Sequence, residues 1–189
     1  MDIKSFVHKK AVEAKEGAKV LAKASSKQKN SVLISMADAL LKRTKELIAE
    51  NKKDIKFAQD KGLSKALIDR LTLTDKRINE IAQGLREVAA LPDPVGEIVK
   101  MWQRPNGMTV GKMRVPIGVI GIIYESRPNV TVDSAVLGIK SGNCVILRGG
   151  SETINTNKVL VKIINSAVEK VLIKNRIYLK IFHISFIHR

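Results

Sequence analysis

Two short polar stretches hold the residue types that can do chemistry. The first is Arg148-Gly149-Gly150-Ser151. Glycines let a backbone come close to a bound group, and a helix opening just after them presents free N–H groups and the positive end of its dipole. The Arg148 guanidinium has the fork geometry for bidentate phosphate binding, and Ser151 can donate a hydroxyl. The same residues also suit an Arg–carboxylate pair beside a tight turn. The second stretch is Tyr124-Glu125-Ser126-Arg127-Pro128-Asn129. The Asn129 amide can donate to an oxygen that gains negative charge at a reacting carbonyl. Asparagine ahead of a helix is also ordinary N-cap chemistry. Ser126 and Arg127 suit an anionic group or a purely structural role.

Other candidates are weaker. Cys144 could be a nucleophile only as a thiolate, and it opens an apolar run, where a core role is expected. Gly118-x-x-Gly121 is an incomplete dinucleotide fingerprint whose glycines precede the strand end instead of following it. His8, His183 and His188 lack metal-ligand spacing with carboxylates or the cysteine, so no metal site is assigned.

The elements that must position the two stretches are legible. Val119–Ile123 and Cys144–Leu147 are short, β-branched and uncharged, as strands buried on both faces of a parallel sheet are. Between them Val132, Val136 and Ile139 fall at helical spacing over 130–140, and Ser141-Gly142-Asn143 stops the helix. This is a βαβ unit with a right-handed crossover. Each polar stretch follows a strand. In open α/β sheets, ligands bind beyond the carboxyl ends of the strands, so the two would share one rim.

VPIGVIGIIYESRPNVT together with LGIKSGNCVILRGGSE closely resembles the γ-glutamyl phosphate reductase family (glutamate-5-semialdehyde dehydrogenases) of the aldehyde dehydrogenase superfamily. The resemblance runs from near the N-terminus to about Lys170. It implies an α/β fold: an N-terminal helical block, a long β-hairpin, and a truncated Rossmann-like βαβ unit of an aldehyde dehydrogenase-type cofactor domain. It further implies that the chain is the front part of a longer enzyme. In that family a cysteine thiolate displaces phosphate from γ-glutamyl phosphate. A thioester forms, and hydride from NADPH reduces it to the semialdehyde, a step of proline biosynthesis. The nucleophile is expected beyond this chain, which should not turn over alone. Asn129 aligns with the oxyanion-donating asparagine. Tyr124, Ser126, Arg127, Arg148, Gly149, Gly150 and Ser151 are the cofactor-facing positions, Ser126 and Arg127 with the acyl phosphate as a second possible target. Arginine and serine at 148 and 151, where relatives binding NADH carry lysine and glutamate, imply NADPH. Two rivals stay open: an aldehyde dehydrogenase-like reductase of another acyl substrate, which YESRPNVT argues against, and a non-catalytic fragment that binds nucleotide or pairs with subunits.

Composition is ordinary for a globular protein of 189 residues, at 44% hydrophobic and 28% charged. A single cysteine excludes an internal disulfide and fits a reducing cytoplasm. The start, MDIKSFVHKK, has no apolar signal core, and no apolar run approaches the roughly 18 residues of a membrane span. The net charge of +16 raises nucleic acid as a partner. Aromatics, however, are only 4%, too few for stacking platforms, and the lysines are interspersed with acids as on solvated helix faces. No nucleic-acid or membrane partner is expected.

In chain order, apolar spacing predicts a helix over Asp2–Lys23, with Phe6, Val7, Ala11, Ala14, Ala18 and Leu21 on one side. A single long helix is expected from Lys27 to Lys61, then a short one around Ala66–Leu71, and one from the Thr74 cap to Ala90. Leu91-Pro92-Asp93-Pro94 ends the block. Val95–Val115 reads as a hairpin turning at Arg104-Pro105-Asn106-Gly107. By the resemblance it projects and joins subunits in a homo-oligomer; the alternative is an edge hairpin packed on its own chain. A helix follows from Ser151 to about Val171. The expected division is therefore 1–94, 95–115, 116–171 and 172–189. The ending VLIKNRIYLKIFHISFIHR has four Lys/Arg and no acid. It departs from the family, where a Gly-Pro turn and a further strand are expected. Its bias is that of an AT-rich gene read out of frame, so a frameshifted or prematurely ended gene is expected, with a divergent terminal strand as the alternative.

Overall fold

The computed structural model describes residues 2–172 and 182–183. Five helices come first: α1 (Ile3–Leu21), α2 (Ser26–Lys42), α3 (Thr44–Asp60), α4 (Lys65–Leu71) and α5 (Asp75–Ala90). Their starts are written locally. Ser25 and Gln28 form a reciprocal capping box on α2. The Ser64 hydroxyl accepts from Leu67 N–H at 3.4 Å, and that of Thr74 from Arg77 N–H at 3.2 Å.

The expected long helix is two helices. Arg43 breaks it, with φ −108 and ψ 20. Thr44 Oγ1 donates back to the Leu41 and Leu40 carbonyls at 2.9 and 3.3 Å, the kind of back-bonding that bends helices. An Arg43–Glu46 pair at 2.6 Å fastens the first turn of α3. Only the later half of α1 is buried, at Ala14, Gly17, Ala18 and Leu21, while Phe6 is exposed.

The sheet carries β3 (Val119–Ile123), α6 (Pro128–Lys140), β4 (Cys144–Arg148), a 3₁₀ turn (Ser151–Thr153), α7 (Ile154–Leu172) and β5 (Phe182–His183). β3 and β4 are parallel, in register from Val119 opposite Cys144 to Ile123 opposite Arg148. β4 is central, and β5 pairs parallel on its other side. β4 is mostly buried, but β3 is not closed on both faces: it is the edge strand, and Ile123 is 81% exposed. Beyond α6, Gly142 takes φ 74 and lets the chain turn into β4. Of the terminal segment read as divergent, the described residues are Val171 and Leu172, at the end of α7, and β5.

One core joins the layers. α2 packs against both α5 and α7, and its Val32, Leu33, Met36 and Leu40 are buried. Two buried lysines pin it. Lys29 Nζ lies 2.6 Å from the carboxylate of Asp93, which also accepts from the Ser26 hydroxyl at 2.6 Å and Val95 N–H at 3.0 Å. Lys140 Nζ donates to Asn30 Oδ1 at 2.7 Å and the Ala89 carbonyl at 3.0 Å, tying α6 to α2 and α5.

Between the helical block and the sheet, β1 (Ile98–Gln103) and β2 (Thr109–Met113) form a separate antiparallel hairpin. Arg104 N–H donates to Met108 O and Gly107 N–H to Arg104 O, closing a three-residue loop with Gly107 at φ 85. Among the described residues no helix is long and apolar enough to cross a membrane.

Candidate functional site

Ile123 and Arg148 are register partners at the carboxyl ends of β3 and β4. Tyr124 N–H donates to the Arg148 carbonyl at 3.0 Å, carrying the ladder one residue past the strands. The two polar stretches thus leave the sheet side by side. Between them and α4 lies a cleft of about 700 Å³. Leu63, Leu67, Leu71 and Ile123 give it apolar wall; Tyr124, Glu125, Ser126, Arg127, Arg148, Gly150, Glu152 and Arg70 give it polar wall. Arg127 has a loose contact with Glu125 at 3.6 Å. Neither Arg148 nor Arg70 makes an ion pair among the described residues.

A relay of hydrogen bonds locks the two turns together. The Tyr124 hydroxyl meets Thr131 Oγ1 at 2.6 Å, and Thr131 donates to Asn157 Oδ1 at 2.8 Å. Since Thr131 has one proton, Tyr124 is the donor of the first bond. The Asn157 amide donates to Thr153 Oγ1 at 3.0 Å, and Thr153 reaches the Gly150 carbonyl at 3.5 Å. Thr131, Asn157 and Thr153 are fully buried. Burial pushes the Tyr124 phenol above its ordinary value. Tyr124 therefore lines the cleft while its hydroxyl points into the protein.

The glycines of the second turn answer first to their own chain. A Cβ at Gly149 would stand 2.6 Å from Asn157 Nδ2 and 2.9 Å from the Tyr124 oxygen. One at Gly150 would run into Ser126 Oγ and the Glu152 carboxylate. The space that the sequence reserves for a ligand is here packed by neighbouring side chains. Ser126 donates a short hydrogen bond to Glu152 Oε2, and Ser151 donates to Oε1 at 3.0 Å. Ser126 above all holds the Glu152 carboxyl below its usual range. A carboxylate thus sits in the same turn as Arg148.

Asn129 occupies the second position of α6, after Pro128 at the first, and Arg127 stands at the N-cap without a side-chain bond. The N-cap alternative for Asn129 is therefore not what the chain uses. Its amide donates instead to Asp133 Oδ2 at 3.2 Å, one turn along. Both residues line a second cavity of about 470 Å³, formed with α4 and α5. Arg70 and Arg127 line this cavity and the first cleft alike, so the two share a wall. Arg148 and Asn129 are thus on one rim of the molecule.

Cys144 is at the other end of β4, buried, its thiol pushed up to about 11 by burial. That is the setting of a core residue, not of a thiolate.

Further side chains hold the rim in place. The Asp54 carboxylate of α3 accepts from the backbone N–H of Asn155 and Thr156 at 3.2 and 2.8 Å, and from their side chains at 2.8 and 2.6 Å. It caps α7 from another helix. Asn51 binds Leu71 O at 2.8 Å and Leu73 N–H at 2.7 Å, fixing the end of α4 beside both cavities. Residue spacing had no means of revealing these long-range bonds, nor that Arg70 and Asp133 line the cavity beside Asn129. Glu152 carried a faint signal, an acid in the opening turn of a helix.

The sequence and the fold of the chain are similar to those of known proteins. Residues 3–173 match the sequence profile of the aldehyde dehydrogenase family. The chain belongs to the aldehyde dehydrogenase family. Within it, the chain is 63% identical over 169 residues to a gamma-glutamyl phosphate reductase of Thermodesulfovibrio yellowstonii, covering 89% of this chain and 40% of the relative. The solved gamma-glutamyl phosphate reductase of Thermotoga maritima superposes with a TM-score of 0.87 at 41% identity, over 93% of this chain and 42% of that one. That of Saccharomyces cerevisiae gives 0.87 at 31% identity, over 92% and 45%. The chain spans about 40% of the length of the curated relatives it matches. The similarity read from YESRPNVT and ILRGGSE thus extends along almost the whole aldehyde dehydrogenase segment.

Proposed function

We propose that this chain is the front part of a cytoplasmic, NADPH-dependent γ-glutamyl phosphate reductase of proline biosynthesis. The observation that carries the reading is the shared rim: two strand ends in register, Arg148 without a carboxylate partner among the described residues, and Asn129 around the corner.

The cleft fits a dinucleotide. Leu63, Leu67, Leu71 and Ile123 offer an apolar surface for an adenine ring. Arg148 supplies a bidentate guanidinium to the 2′-phosphate. Ser151, Ser126, Gly149 and Gly150 shape the turn around it, and Tyr124 anchors one turn to the other. When bound, the nicotinamide cofactor supplies the hydride. Asn129 donates to the carbonyl oxygen of the acyl group as negative charge builds there. Arg127, on the wall common to both cavities, faces the phosphoryl group. Cys144 takes no part, and the attacking sulfur belongs to sequence outside this chain, which binds without turning over.

The test is nucleotide affinity. Removing a charged hydrogen-bond pair costs about 1.5–3 kcal/mol, or roughly 10- to 150-fold. Arg148→Ala should weaken NADPH by that factor and NADH hardly at all. Equal loss for both would remove the 2′-phosphate role.

A further inference from the structure

The cavity beside Asn129 holds charges of both signs, and most of them are already spent. The Arg77 guanidinium meets the Asp69 carboxylate at 3.0 Å and the Thr72 carbonyl at 2.8 Å. Glu80 has Lys76 at 3.9 Å. Arg127 has Glu125 on the opposite side of the shared wall. What remains in the cavity is one guanidinium without an ion pair among the described residues, Arg70, and one carboxylate, Asp133, which accepts from the neutral Asn129 amide at 3.2 Å. Leu73 and Ile81 give the cavity apolar wall. One unspent cation and one unspent anion over an apolar wall are the complement of a zwitterion on a short hydrocarbon chain.

The spacing selects which zwitterion. The Asn129 amide and the Asp133 carboxylate stand 3.2 Å apart, so two ligand atoms, one hydrogen-bonded to each at about 3 Å, can lie about 5 Å from one another. In an extended glutamyl chain the amino nitrogen lies about 5 Å from the δ-carbonyl carbon, across four bonds. An acyl oxygen at Asn129 therefore brings the α-ammonium to Asp133.

We infer that this cavity is the subsite for the α-amino-acid end of the substrate, with Asp133 accepting from the α-ammonium and Arg70 holding the α-carboxylate. The inference rests on the function proposed above and makes Asp133 and Arg70 the residues that choose an amino acid over a plain acyl chain. A carboxylate with no counter-ion among the described residues rejects a substrate lacking the ammonium because its charge is then left in a concave wall without one.

The test uses the ¹⁵N-labelled 189-residue chain, titrated with L-glutamate, glutarate (no ammonium) and 4-aminobutyrate (no α-carboxylate). L-Glutamate should shift the amide signals of Asn129 and Asp133, with both analogues about tenfold weaker. Asp133→Asn should bring L-glutamate down to the level of glutarate, Asp133→Glu should restore part of the difference, and Arg70→Gln should weaken L-glutamate and glutarate together. Equal affinity for L-glutamate and glutarate, a preference that survives Asp133→Asn, or no shift at all would overturn the inference. NADPH titrated into the same samples separates the two claims. Nucleotide binding without glutamate binding sinks the subsite alone; glutamate binding without nucleotide binding sinks the cofactor cleft.

Discussion

Gly149 shows how tightly the rim is fitted at the level of single atoms. Its missing side chain leaves room for Asn157 and for the Tyr124 hydroxyl, two members of a buried relay. Gly149→Ala should cost about 1–3 kcal/mol through overpacking, read as a lower midpoint in urea. Glu152 sets a different balance. Its carboxylate shares the turn with Arg148, so it opposes a phosphate placed there. Glu152→Gln should tighten NADPH more than NADH, and an unchanged ratio would mean that the 2′-phosphate sits elsewhere. Cys144, with its thiol near 11, should resist thiol labelling in the folded protein at neutral pH and react only on unfolding. Fast labelling would return it to the list of nucleophiles.

Among the elements, the βαβ unit was legible because its signals are local and agree with one another. Two uncharged β-branched runs, a spaced apolar face and a glycine stop all point one way, and β3, α6 and β4 follow within a few residues. The break at Arg43 was not, because the apolar spacing continues across it and only the Thr44 back-bonds divide the helix. The candidate site divides in the same way. Arg148 and Asn129 announce themselves by type and place, whereas Asp54, 101 residues from the N–H it caps, has no neighbour in sequence to betray it. Asp54→Ala strips four donors at the start of α7, two of them backbone, and should destabilise the protein by about 3 kcal/mol, with faster amide exchange at Asn155 and Thr156. The Lys29–Asp93 pair ties α2 to the segment before the hairpin. Burial works to raise the Asp93 carboxyl, but hydrogen bonds from Lys29, Ser26 and the Val95 N–H together hold it below its ordinary value. Its stabilising contribution is therefore complete above the unfolded value and is lost as pH falls through the folded one. Lys29→Met should cost about 3 kcal/mol near neutrality and flatten that acid-side loss, as followed by thermal melts across pH.

Among the described residues, exposed apolar side chains include a set on the hairpin and a set along β3. Met101, Met108, Met113 and Trp102 stand exposed on the hairpin, and Ile117 and Ile123 flank the open edge of β3, at 82% and 81% exposure. Met101 and Trp102 are successive in β1 and project from opposite faces, so the hairpin exposes apolar side chains on both. The hairpin is proposed to join copies of the chain, so the wild type should sediment as an oligomer and a Met101→Lys, Met113→Lys variant as a smaller species. Equal sedimentation would leave the hairpin without that role. With about 40% of the relatives' length, the chain carries the rim proposed to face the cofactor, whose strand ends, Arg148 and Asn129 all lie within 116–171.

The most direct test of that rim is to map nucleotide contacts on the chain itself, by titrating NADPH into the ¹⁵N-labelled protein and following the backbone amides. The expected result is concerted movement of 124–129 and 148–152 at one affinity, because both turns border one cleft. Movement of only one stretch, or of signals elsewhere with both silent, would contradict a single shared site.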